Sequence, residues 1–75
     1  IFDFKFDLIF CDPPFKEERS SYLIELIFKK NFLKKNGIIV LHRKKDNKDL
    51  FFRQFNIFEE RIYGISKIIF AKFSA

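Results

Sequence analysis

Residues 6–15 read FDLIFCDPPF. A run of apolar, β-forming side chains from Phe6 to Cys11 ends on Asp12, Pro13 and Pro14, with an aromatic ring, Phe15, just beyond. So short and apolar a run predicts a strand buried on both faces, as in a parallel sheet. Alternation upstream, with Phe2, Phe4 and Phe6 against Asp3 and Lys5, can extend it. The prolines fix φ and donate no N–H, so the ladder stops there and the loop is stiff. In open parallel sheets ligands sit beyond the carboxyl ends of the strands, where Asp12 falls.

Working outward, Glu17 and Glu18 precede Ser20 and Ser21, either of which can cap a helix. Leu23, Leu26, Ile27 and Lys30 fall on one stripe, with Ile24, Phe28 and Phe32 beside it. Lys29, Lys30, Lys34 and Lys35 crowd the expected C-terminal end, where the helix dipole favours cations. Asn36-Gly37 is the expected stop, with Gly37 in the left-handed cap. Ile38 to Leu41 then form a second apolar strand, ended by His42.

The polar stretch RKKDNKD (residues 43–49) reads as a loop. Asp46 or Asn47 can cap a short second helix through Leu50, Phe51 and Phe55. Residues 55–63 and 66–73 read as strands broken at Gly64, and so short a link makes them antiparallel. The expected fold class is therefore α/β. Its order is β-α-β-α-β-β, with a mixed four-stranded sheet and an antiparallel terminal hairpin.

A chain of 75 residues allows one small domain, yet 48% of it is hydrophobic and 13 residues are Phe. Chains this short bury a small share of their surface, so we expect a core shared with something else. The sequence has no Met and begins with Ile, which leads us to expect a piece of a longer protein. One Cys, Cys11, excludes an internal disulfide and fits a reducing compartment. No stretch approaches the roughly 18 apolar residues of a membrane span. A cytoplasmic location is the expectation. The net charge of +5 favours polyanionic partners, nucleic acid first. One His and one Cys make no metal-ligand set.

Asp-Pro-Pro alone is an ordinary turn. Its setting, between an apolar strand and an aromatic ring and ahead of a βαβ unit, points to a site. A carboxylate and a fixed backbone carbonyl both accept hydrogen bonds from an –NH₂ group. As such a nitrogen attacks an electrophile it gains positive charge, which nearby acceptors stabilise. A flat ring stacks on the base that carries the amine. Asp12, Pro13, Pro14 and Phe15 are thus the candidate catalytic residues. Lys16 and Arg19 flank them, and His42, Arg43, Lys44 and Lys45 follow the second strand on the same sheet edge. These six are the candidate nucleic-acid contacts. Cys11, in an apolar strand, reads as core filler rather than a nucleophile.

Asp-Pro-Pro-Phe after a buried strand resembles the [DN]-P-P-[YFW] motif of S-adenosylmethionine-dependent amino-methyltransferases. Taken in order, FDLIFCDPPF, NGIIVLH and RIYGISKIIFAKF resemble the C-terminal half of the bacterial 16S ribosomal RNA guanine-N2 methyltransferase family. The resemblance covers essentially the whole chain. It implies a Rossmann-like sheet of seven strands ordered 3-2-1-4-5-7-6, of which this chain holds the fourth to the seventh. It implies that Asp12 and the Pro13 carbonyl hold the guanine amine, that Phe15 stacks on the base, and that Asp12 also borders the cofactor. The family's glycine-rich cofactor loop and its ribose-binding acid have no counterpart here, so the main residues for S-adenosylmethionine are expected outside this chain. Leu41 stands where the family often has Glu. The implied partner is 16S rRNA or the small ribosomal subunit. The alternatives are a DNA adenine-N6 methyltransferase fragment, which shares the motif, and a non-catalytic half-domain that binds RNA or self-associates. An apolar first strand at a sheet edge tends to pair with another chain, so the isolated piece is expected to dimerise or aggregate.

Overall fold

The computed structural model describes residues 5–12 and 18–74, the side chains of residues 18–20 excepted. Its elements are β1 (Phe6–Cys11), α1 (Glu18–Lys29), β2 (Leu33–Lys44), β3 (Phe55–Tyr63) and β4 (Ser66–Phe73). They build one mixed sheet in the order β1-β2-β4-β3. β1 runs parallel to β2, while β4 runs antiparallel to both β2 and β3. This is the neighbour order expected for the last four strands of a Rossmann-like methyltransferase sheet, terminal hairpin included.

α1 covers one face of the sheet. Ile24 and Ile27 are its buried side chains, one turn apart, and they meet Cys11, Leu33, Ile39, Leu41, Phe55, Ile69 and Ala71 in the core. Leu26, expected on the buried stripe, is exposed, as is Tyr22. The outer surface of α1 carries a Glu25–Lys29 pair at 3.2 Å.

The helix stops earlier than its sequence suggests. Asn31, not Gly37, is the left-handed residue, with φ 59°. The Phe32 N–H donates to the Ile27 carbonyl at 3.3 Å and the Asn31 N–H to the Phe28 carbonyl at 3.1 Å. This paired pattern around a left-handed residue satisfies the last carbonyls of the helix. Asn takes the left-handed conformation more readily than other residues with a Cβ, so the first of the two Lys-Lys-Asn triplets ends α1. Lys34 and Lys35 therefore belong to β2, where Lys34 pairs with Asp7 at 3.5 Å.

The second triplet ends on Asn36, also left-handed at φ 67°. There the β1–β2 register jumps: Phe6 faces Leu33 and Leu8 faces Ile38, so two steps along β1 match five along β2. Gly37 serves close packing at this bulge. A Cβ there would stand 2.7 Å from the Leu33 side chain and 2.8 Å from the Lys34 carbonyl oxygen.

Two further expectations give way. No second helix forms between β2 and β3. The link stays irregular, tied to the sheet by two strand residues: Arg43 grips Asp49, and Lys67 Nζ donates to the Asn47 carbonyl at 2.8 Å. Phe51 and Phe52 join the aromatic cluster beside the core, Phe51 at 4.5 Å from Phe55 and Phe52 at 5.2 Å from Phe28. Nor is β1 buried on both faces. Ile9 and Cys11 point to the α1 side, while Phe6, Leu8 and Phe10 are 54–61% exposed on the other. Among the described residues nothing covers that second face.

Candidate active site at the strand ends

β1 and β2 are parallel, so their carboxyl ends share one edge. The pairing of Cys11 with Leu41 sets Asp12 beside His42. His42 Nδ1 lies 2.9 Å from Asp12 Oδ1. Both side chains reach the surface, Asp12 at 58% exposure and His42 at 34%. Asp12 follows the last ladder residue of β1, whereas His42 stands within β2, opposite Ile68 of β4. The pair joins a strand end to an interior strand.

Strand alternation divides the remaining candidates. His42 and Lys44 share the open face, and Arg43 turns to the helix side with Ile39 and Leu41. Arg43 is 4% exposed and forks onto Asp49, with Nε to Oδ2 and Nη2 to Oδ1 both at 3.0 Å. A guanidinium committed in this way holds the link after β2 in place, which corrects the expectation that Arg43 meets a nucleic acid. Arg43 and Lys44 are strand residues rather than loop residues, because β2 runs to Lys44. Lys44, Lys45 and Lys48 are exposed, and the Lys45 N–H donates to the Ile65 carbonyl at 2.7 Å. Pro13, Pro14, Phe15 and Lys16 lie outside the described residues, as does the side chain of Arg19.

Cys11 directly precedes the rim but is buried, and burial pushes its thiol pKa up, away from nucleophilic use at neutral pH. Among the described residues no three His, Cys, Asp or Glu side chains gather to hold a metal ion. A cleft between α1 and the link after β2, lined by Tyr22, Glu25, Lys48 and Leu50 among others, includes neither Asp12 nor His42.

Sequence reasoning placed Asp12 and His42 on one edge but did not see their hydrogen bond. It also missed the Arg43–Asp49 pair, although the alternation Ile39, Leu41, Arg43 already assigns Arg43 to the core face.

Fold and rim together define an α/β unit of the open-sheet kind, with polar groups where such sheets receive ligands. The chain belongs to the family described as conserved hypothetical protein 95, whose model matches residues 3–72. It is 35% identical over 71 residues to an uncharacterized methylase of Rickettsia prowazekii, covering 93% of this chain and 30% of that protein. Among solved structures, it matches a conserved hypothetical protein of Streptococcus pyogenes with a TM-score of 0.80 at 32% identity, over 93% of this chain and 44% of the other. A candidate methylase of Haemophilus influenzae matches with a TM-score of 0.74 at 29% identity, over 88% of this chain and 41% of the other. A candidate methyltransferase of Escherichia coli, 17% identical, shares the fold with a TM-score of 0.78, over 92% of this chain and 40% of the other. The chain thus spans less than half the length of each.

The described residues do not suit S-adenosylmethionine by themselves. Of the two glycines, Gly37 is packed against Leu33, and Gly64, with φ 57°, turns the hairpin between β3 and β4. Gly37 is closed off by packing and Gly64 is taken up by a hairpin turn, so neither belongs to a glycine-rich strand-to-helix loop. No described helix is long and apolar enough to cross a membrane.

Proposed function

We propose that this chain is the methyl-acceptor part of an S-adenosylmethionine-dependent methyltransferase that modifies the exocyclic N2 amine of a guanine in 16S rRNA. The observation that carries the reading is Asp12. It is an exposed carboxylate at the carboxyl end of β1, held by His42 and followed in sequence by Pro-Pro-Phe. The methylase descriptions borne by relatives support the reaction class. In this reading Asp12 and the Pro13 carbonyl accept hydrogen bonds from the amine, and Phe15 stacks on the base. Lys16, Arg19, Lys44 and Lys45 draw in the RNA phosphates. The cofactor is held chiefly by residues outside this chain, in a cytoplasmic protein.

The test is methyl transfer by the full-length protein to small ribosomal subunits that lack the modification, with Asp12→Ala beside it. We expect transfer by the parent and its loss in the variant. Transfer undiminished in Asp12→Ala sinks the role given to the carboxylate. Transfer to adenine in DNA in place of rRNA would identify the DNA enzyme instead.

A second reading concerns the isolated chain. Phe6, Leu8 and Phe10 are exposed on β1, a strand at the sheet edge, and this favours self-association. Sedimentation of the isolated chain as a dimer or larger species is expected. A monomer at high concentration counts against it.

A further inference from the structure

We propose that His42 is a positioning residue: it fixes the Asp12 carboxylate so that one oxygen stays turned to the amine being methylated. The inference rests on the methyl-transfer reading above and gives His42 a role distinct from RNA contact.

An ionised carboxylate can only accept, so the Nδ1 atom 2.9 Å from Oδ1 is the one that carries the hydrogen. That contact occupies Oδ1. Among the described residues no hydrogen bond reaches Oδ2. The two partners are unequally anchored. Asp12 lies beyond the last residue of β1, and its side chain is more than half exposed. Left alone, such a side chain samples several rotamers. His42 sits in β2, which is hydrogen-bonded to β1 on one side and β4 on the other. A ring on an interior strand is the firmer of the two, and a site is most exact when its reacting group is supported from a rigid element.

Stability alone gives little reason for this contact, since even a charged pair at the surface contributes only about 0–1 kcal/mol. Orientation is where a single fixed bond acts strongly. A misplacement of about 1 Å at a reacting centre costs on the order of 100-fold in rate. The other exposed carboxylate pairs differ in kind. Glu25–Lys29 is a helix-surface pair, Lys34–Asp7 is longer, at 3.5 Å, and Arg61–Glu59 lies along β3, at the far border of the sheet. Among these pairs of described residues, Asp12–His42 is the one at the ligand-receiving edge.

The experiment uses the full-length protein and small subunits lacking the modification, with His42→Ala, His42→Asn, His42→Gln, Asp12→Ala and the double variant Asp12→Ala/His42→Ala. The amide nitrogen of Asn falls near the position of Nδ1, and that of Gln nearer the other ring nitrogen. We expect His42→Ala to lower kcat about tenfold, with KM for the subunit and the unfolding midpoint nearly unchanged. His42→Asn should recover most of the loss and His42→Gln should not. The double variant should be no slower than Asp12→Ala, because His42 acts through that carboxylate. The proposal is overturned by a wild-type kcat in His42→Ala, by a loss confined to KM, by Asn and Gln performing alike, or by additive losses in the double variant. A parent protein inert on subunits overturns the methyl-transfer reading and this one together. An active parent indifferent to His42 overturns this one alone.

Discussion

The two faces of the sheet are built from the same strands and could hardly differ more. On the α1 side, Ile39, Leu41 and Ala71 are wholly buried, and even a charged residue, Arg43, is sealed with a partner. On the other side, Phe6, Leu8 and Phe10 stand more than half exposed, with the Asp12–His42 pair at their carboxyl end. Alternation along a strand sends neighbours to opposite fates: His42 and Arg43 are adjacent, yet one sits at the rim and the other in the interior. The difference separates residues that hold the chain together from residues left to meet something else.

Substitutions on the closed face should hurt most. Arg43→Ala takes the guanidinium away from a buried carboxylate and is expected to cost about 3–5 kcal/mol in urea unfolding. Replacing both partners, Arg43→Met with Asp49→Leu, should restore most of this; a double variant as unstable as the single one would show that the pair does more than satisfy itself. Leu41→Ala opens a cavity beneath α1, with an expected loss of about 2–5 kcal/mol. At the junction of the two faces, Gly37→Ala drives a methyl group into Leu33 and should cost about 1–3 kcal/mol. An unchanged unfolding midpoint would mean that β2 can relax around the bulge. Smallest is Phe10→Ser on the open face, expected within about 0.5 kcal/mol for the monomer while weakening self-association in sedimentation. A large stability loss there would erase the contrast between the faces.

Much of this was legible in the residues. Apolar runs bounded by Asp-Pro-Pro and by Gly64 located β1, β2 and the hairpin, and the short hairpin link set its antiparallel sense. What escaped depends on side-chain contacts and packing that local propensity does not carry. A second helix was plausible from local propensity, but the tethers from Arg43 to Asp49 and from Lys67 to Asn47 decide the path of that link. The helix end was misplaced because two Lys-Lys-Asn triplets offer the same stop, and packing chooses the first. The open face was hidden because an apolar strand reads as buried whether or not its cover is present in the chain. For the site, the shared edge of Asp12 and His42 followed from parallel strands. Their hydrogen bond did not, because no turn sets the register of a parallel pair. Here the bulge at Asn36 sets it, bringing Cys11 opposite Leu41.

The sheet order also governs when the rim can exist. β4 is the last strand in the chain, yet it lies inside the sheet, between β2 and β3. While the chain is being synthesised, β2 therefore lacks its partner on that side until Ser66–Ala71 have emerged from the ribosome. A truncation that removes β4 would take out the middle of the sheet rather than trim its border, leaving β3 detached and His42 on a strand supported from one side only. The two groups at the rim lie within the first 42 residues, but their geometry is settled by the last eight of the sheet.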